Sequence, residues 1–475
     1  MPGIELGTME SVNRKIRASS RIPWFSLGLA AAGIGIGAVA HAAPPKPRPF
    51  LLGGPLVVEA SKLRIDPTLP TGEPIYRSWR EPPSAVERAC SFRRPVCVSG
   101  TGALFQKRGS AFLGALESAY DRVVLGMGLP PPRGAARADE NLDLYVSEHA
   151  TPFNVVLSER PLSVFDEGRV FCEAPLSMRP EEAATLCVAQ AVAHQLDPGA
   201  GSGVIAAFSD YIHLLTLGPS DRTLEAIHNF QQSPHLGFFS DEDEGAARGS
   251  WVLFDYLEAH SPRGPGWASA AWLSASAGLT PVGAWRFFDE PDVFDVLRHT
   301  FEEDPVRFAS FSANFALDRA FLGSRSRPLR PISLLFSGGF GHVRFDWSIK
   351  ASSLPRRVAS VNPLRPNGSE YVWLELDKWT EKDVLGFEAE WEEPVPFKWT
   401  LSKITKSGEV AGTLDIPFQQ KARSVQQRLV GLEGMAGVLV VGTNLGGIRS
   451  DQPFDPDVGP FEPHGCTVYL AKVAE

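Results

Sequence analysis

The chain has no H-E-x-x-H, no G-x-S-x-G elbow, no P-loop and no G-x-G-x-x-G that opens a βαβ unit. Those absences remove the standard sequence signals of zinc peptidases, α/β-hydrolases, P-loop nucleotide enzymes and dinucleotide-binding domains. Cysteine is scarce, five in 475 residues. None stands at a metal-ligand spacing or beside a histidine in a nucleophile pattern, which argues against a zinc ribbon or a thiol enzyme. Positive charge is also short. The formal net charge is −9, a poor match for nucleic acid or an anionic membrane. After residue 42 no stretch is long and apolar enough to span a bilayer.

The N-terminus reads as an export signal. Arg14, Lys15, Arg17 and Arg21 form a basic region, residues 22–39 an apolar one, and Ala40-His-Ala42 a small-x-small cleavage site. Residues 1–42 carry four Lys/Arg and two Asp/Glu, so cleavage moves the formal charge from −9 to −11. The expected location is periplasmic, cell-surface or extracellular, with no membrane span once the signal is cleaved; an uncleaved anchor is the other reading of the same segment. The cysteines suit an oxidising compartment. Cys90 and Cys97 flank a short loop, Ser-Phe-Arg-Arg-Pro-Val, and are placed for a local disulfide. Cys172 ends a predicted strand and Cys187 lies on the next helix, which allows a second. Cys466 is left as a buried free thiol.

Residues 43–105 are a Pro-rich lead-in that ends with the Cys90–Cys97 loop. Helical periodicity over 109–127 is followed by short strands at 142–146, 153–157 and 168–172. Helical patterns return at 220–232, 244–259, 264–278 and 291–322, with Trp251, Phe254, Tyr256 and Leu257 as a core stripe. Trp267, Trp272, Trp285, Phe287 and Phe288 are expected in the same layer. Asp241-Glu-Asp-Glu244 precedes a helix start, where acidic side chains oppose the positive end of the dipole. From about residue 341 the period becomes two, with seven strands near 342–349, 371–376, 385–391, 397–401, 412–416, 438–442 and 467–472. Alternation puts Glu390 and Glu392 on a solvated face, and Gly338 to Gly341 reads as a hinge. The predicted class is α+β: a small mixed sheet plus a helical bundle over 106–340, then an all-β antiparallel sandwich over 341–475.

The centre of this plan is Glu181 to Leu217, two helices joined by Asp197-Pro-Gly-Ala-Gly-Ser-Gly203. The first helix carries Gln190-Ala-Val-Ala-His194 and the second carries Val204 to Ile212 with Asp210-Tyr211. A working zincin needs two His four apart, so that both reach one metal from one helical face, and a Glu beside the first as general base. The hairpin resembles that of the gluzincin metallopeptidases, whose second helix reads E-G-x-A-[DE]-Y with its leading Glu as third zinc ligand. Gln190 stands at the first His position, Ala191 at the Glu and Ala206 at the third ligand. His194, Asp210 and Tyr211 remain, with a shorter spacing from His194 than the family has. The resemblance implies a gluzincin-like fold that has lost its ancestral zinc, with no catalytic residues and no cofactor. It leaves a remnant cleft of Gln190, Ala191, His194, Ala206, Asp210, Tyr211 and His213.

Three functions follow as expectations. The first is a secreted pseudopeptidase that binds a peptide, a glycan or an envelope protein. The second is a metal-dependent hydrolase with a rearranged site, because Asp210 and His213 share a helix face and His194 lies on the neighbouring helix. The third is a purely structural envelope protein whose cleft is filled by side chains.

Overall fold

The computed structural model describes residues 82–83, 87–132, 134, 140–148, 154–157, 170–197, 200–240, 243–261, 264, 266–275, 293–301, 304–322, 343–392, 395–419, 421–446 and 463–474. All of them belong to one unit, Pro47–Glu475. The export signal, the lead-in up to residue 80, Trp285, Phe287, Phe288 and the Gly338–Gly341 hinge lie outside the described residues.

The Cys90–Cys97 loop is a β-hairpin. Strands β1 (Glu87–Cys90) and β2 (Val96–Gly100) pair antiparallel, and Cys90 faces Cys97 in register, so their disulfide spans the ladder. Helix α1 (Gly102–Tyr120) follows and continues as a π-helical segment, Asp121–Leu125. Strands β3 (Leu142–Ser147), β4 (Asn154–Leu157) and β5 (Val170–Pro175) complete a mixed sheet in the order β1-β2-β3-β5-β4. Its centre, β2-β3-β5, is parallel and its two edges are antiparallel.

Helices α2 (Pro180–Leu196), α3 (Ser202–Leu217), α4 (Asp221–Gln232), α5 (Glu244–Gly249), α6 (Trp251–His260), α7 (Trp267–Ala275), α8 (Val293–Thr300) and α9 (Pro305–Ala320) form the helical layer. Their starts follow the sequence closely. Pro180 sits in the first turn of α2 with Glu181 and Glu182 against the dipole. Ser220 and Thr223 make a reciprocal capping box on α4, and Asp243 caps α5 by accepting from Ala246 N at 3.1 Å. Two long helical patterns are each broken. The 244–259 run divides at Ser250, whose hydroxyl bonds Ala246 O and accepts from Phe239 N, the kind of back-bonding that bends a helix. The 291–322 run divides before Pro305, with Asp304 capping α9.

Among the described residues nine strands follow, where seven were expected: β6 (Trp347–Lys350), β7 (Arg356–Ala359), β8 (Ser369–Glu375), β9 (Asp383–Trp391), β10 (Phe397–Thr405), β11 (Val410–Asp415), β12 (Ser424–Leu429), β13 (Met435–Asn444) and β14 (Cys466–Ala474). They make two sheets, β11-β10-β13-β8-β6 and β12-β9-β14-β7. Every pairing is antiparallel except β6 with β8. The two sheets face each other across one core that includes Val372, Leu374, Leu401 and Val440 from the first and Leu385, Phe387, Val468 and Leu470 from the second. In β13 the glycine at 442 is required by packing, because a Cβ there would run into the Trp399 indole of β10.

A third layer lies outside the first sheet. The face of β8, β10 and β13 that carries Tyr371, Ile404, Leu439 and Val441 packs on Ala316, Leu317 and Phe321 at the end of α9. This is why β13 is buried on both faces over Gly437–Asn444. Polar groups finish the seam. Tyr371 donates its hydroxyl to Ala316 O at 2.7 Å. Arg319 is buried, donates to Gln231 Oε1 at 2.7 Å and to Phe230 O, and lies over the Phe230 ring at 3.5 Å. Burial lowers its pKa to about 10, so it remains charged at neutral pH. Backbone bonds cross the same seam from Arg344 N to Gln231 O, Arg365 N to His235 O and Ser369 N to Pro234 O. Gly237 lets that loop approach Pro366 O, where a Cβ would collide with the backbone.

Candidate functional site

The candidate positions all lie on α2 and α3. Helix α2 is enclosed on nearly every side, and Ala191, Val192, Ala193 and His194 are buried. The Cys172–Cys187 disulfide fastens it to β5 one turn before Gln190. Gln190 and Ala206 are half-buried. Tyr211 is buried against Phe254, at a ring separation of 5.8 Å. Asp197 ends α2 and accepts from Ala200 N at 2.9 Å, which turns the chain into α3.

Asp210 has a complete set of partners that the sequence did not announce. It is fully buried, and Arg222 Nε of α4 donates to Oδ1 at 2.7 Å while Arg248 Nε of α5 donates to Oδ2 at 2.8 Å. Arg248 also reaches Arg222 O at 3.4 Å. The carboxylate therefore joins three helices as a charge-assisted clamp. The available clue was placement: Arg222 in the first turn of α4 and Arg248 in the last turn of α5, the latter between Ala247 and Gly249, small residues that let helices approach.

His213 is fully buried, and neither ring nitrogen has a hydrogen-bond partner. Burial pushes its pKa below the usual histidine value; Asp210 and Glu182 oppose that shift, and Arg222 and Arg179 add to it. Helices α2 and α3 are joined by the short turn 197–201 and pack on each other, so they run antiparallel. His194, at the end of α2, therefore lies level with the start of α3. At about 1.5 Å rise per residue, His213 is roughly 13 Å further along the axis.

The structure brings Asp210 and His213 onto one stretch of α3 and leaves His194 at the other end of the hairpin. A zinc ion needs three protein donors at about 2 Å from one point. The donors here do not fit it, because both Asp210 oxygens are engaged by arginines and the two histidines are apart. Among the described residues no group of three or more His, Cys, Asp or Glu is placed to hold a metal ion. The Asp241–Glu244 run contributes a helix cap, Asp243. Glu390 pairs with Arg357 and Glu392 with His464 Nδ1 at 3.4 Å, both carboxylates exposed as expected.

No protein-family model matches the chain, and no curated protein matches it. Among solved structures it is similar to the pre-peptidase C-terminal domain of a collagenase from Bacillus anthracis, at 10% identity, over 27% of this chain and 97% of that one, with a TM-score of 0.17. A likeness of that size carries no argument about either chain's activity. Two further findings bear on class. The two disulfides fit a protein that meets an oxidising compartment. Among the described residues no helix is long and apolar enough to cross a membrane.

Proposed function

We propose that this chain is an exported, non-catalytic pseudopeptidase that acts by binding, with its gluzincin-like hairpin turned into scaffold. The observation that carries the reading is the Asp210 clamp. A fully buried carboxylate with each oxygen held by an arginine nitrogen is fixed in place and closed to a metal. Gln190, Ala191 and Ala206 supply none of the chemistry that the resemblance would require at their positions. The binding surface then lies elsewhere, on the sandwich or the outer helices, with a peptide, a glycan or another envelope protein as its target. The burial of Ala191 and His194 favours a second reading, a structural envelope protein with a filled cleft.

Elemental analysis of the purified chain, before and after zinc loading, tests the proposal. The expected result is no stoichiometric metal and no zinc-dependent hydrolysis of a denatured protein substrate. A stoichiometric ion that disappears in His194→Ala would overturn it in favour of a metal-dependent hydrolase that uses His194, Asp210 and His213.

A further inference from the structure

Glu370 is the second residue of β8, and the alternation of that strand puts it on the inter-sheet face with Val372 and Leu374. It is 1% exposed. Across the gap, Cys466 at the start of β14 donates its thiol to Glu370 Oε2 at 2.6 Å. The other oxygen, Oε1, has no hydrogen-bond partner. The Cys466 backbone N–H is held by Ser360 Oγ at 3.1 Å, which fixes the thiol's position. The β13 residue opposite Glu370 is Gly442, covered by the Trp399 indole, so those strands bring no charge to it. The charged groups that face it are few. Asp346, just before β6, is a second carboxyl at the same end; it accepts from Tyr371 N at 3.2 Å and lies 3.7 Å from Arg344 Nη2. His464 and Glu392 are engaged with each other.

We propose that Glu370 is a proton-dependent latch between the two sheets of the sandwich, closed while the carboxyl carries its proton and released when it loses it, with the Cys466 thiol setting the pH of release. A protonated carboxyl fits this site, since only one oxygen has a donor. An ionised one would be a buried charge with a single weak S–H donor and a second carboxylate nearby. Burial raises the Glu370 pKa to about 7; the Cys466 thiol opposes this and Asp346 adds to it. Burial and the Glu370 charge hold the Cys466 pKa well above its ordinary value, so the thiol keeps the proton it donates. The latch also reaches the seam with the helices. Its neighbours on β8, Ser369 and Tyr371, hold Pro234 O and Ala316 O. The inference does not rest on the proposed binding role.

The folded carboxyl is the tighter proton site. From pH 4.5, its ordinary value, up to about 7, the closed state holds a proton that the opened state has released. Protection is therefore full below that window and is lost as pH rises through it. Hydrogen exchange of the full chain at about pH 5 and about pH 8, corrected for intrinsic chemical rates, reads this at residues 369–375 and 466–474. The expected result is a loss of protection on the order of 100-fold in the wild type and none in Glu370→Gln. A flat wild-type profile, or the same step in Glu370→Gln, would overturn the latch. Should Glu370→Gln fail to fold, Cys466→Ala keeps the carboxyl and is expected to move the step to higher pH. An unmoved step there would remove Cys466 from the device.

Discussion

Arg248 donates from Nε to Oδ2 of Asp210 at 2.8 Å, across 38 residues of sequence, and that contact binds the last turn of α5 to the middle of α3. Together with Arg222 it decides how the hairpin is read. An aspartate free to ligate would be a site residue; one shared by two arginines is a tie between helices.

Substitution of Asp210 by Asn tests this directly. It leaves two partly exposed guanidinium groups without their counter-charge and is expected to cost about 2–4 kcal/mol of unfolding free energy, read by urea titration. The triple change Asp210→Leu, Arg222→Met and Arg248→Met should recover much of that loss, because apolar replacement of a whole buried ionic cluster is commonly tolerated. Failure to recover would mean that the charges do more than hold helices together.

His213 makes the protein sensitive to acid. Its folded-state pKa is lowered, so below about 6.5 the unfolded chain takes up a proton that the folded one refuses. The stabilisation is fully present above that pH and is lost as pH falls through the window beneath it. His235 acts in the same direction, through burial and the charges of Arg344 and Arg319. In a Glu370→Gln background, which removes the opposing proton uptake of that carboxyl, thermal melts at about pH 5 and about pH 7.5 should show a fall at the lower pH that His213→Leu reduces without abolishing.

Much of this fold could be read from the sequence, and the failures have physical reasons. The helical hairpin, both disulfides and the alternating strands announced themselves because each rests on local pattern or spacing. Strands β7 and β12, Arg-Arg-Val-Ala and Ser-Val-Gln-Gln-Arg-Leu, did not, because they are the edge strands of their sheet and carry polar side chains. The third layer was hidden for another reason. Burial of β13 on both faces depends on α9, and no strand pattern states which helix will cover it. At the candidate site, the sequence placed Gln190, Ala191 and Ala206 on two neighbouring helices. It could not show that Arg222 and Arg248 had converged on Asp210, since long-range ion pairs have no fixed spacing. Glu370 was overlooked because it directly precedes the run that alternates most clearly.

The Cys172–Cys187 bridge closes a loop of 15 residues and fixes α2 to β5. Replacement of both cysteines by serine is expected to lower stability by about 2–4 kcal/mol, chiefly by freeing the unfolded chain. Chemical denaturation of the variant beside the reduced wild type checks it. The Cys90–Cys97 bridge closes a separation of only 7 residues between strands already paired in register, so its removal should cost less.

The seam between the helices and the sandwich makes the last expectation the most exacting. Tyr371, Ile404, Leu439 and Val441 are buried only because α9 covers them. Residues 341–475 produced alone would expose that sheet face, together with the backbone groups that bond Pro234, His235 and Gln231. The fragment is expected to aggregate or to lack a cooperative thermal transition, as a sheet with an uncovered apolar face does. Within the full chain, Arg319→Met should cost about 1–3 kcal/mol, because Gln231 Oε1 loses the buried guanidinium donor and Phe230 O keeps only the Ser233 N–H. Both follow from the same arrangement: the sandwich is folded against the helices and depends on them. A fragment that unfolds cooperatively at the temperature of the whole protein would show the seam to be an ordinary contact between independent domains.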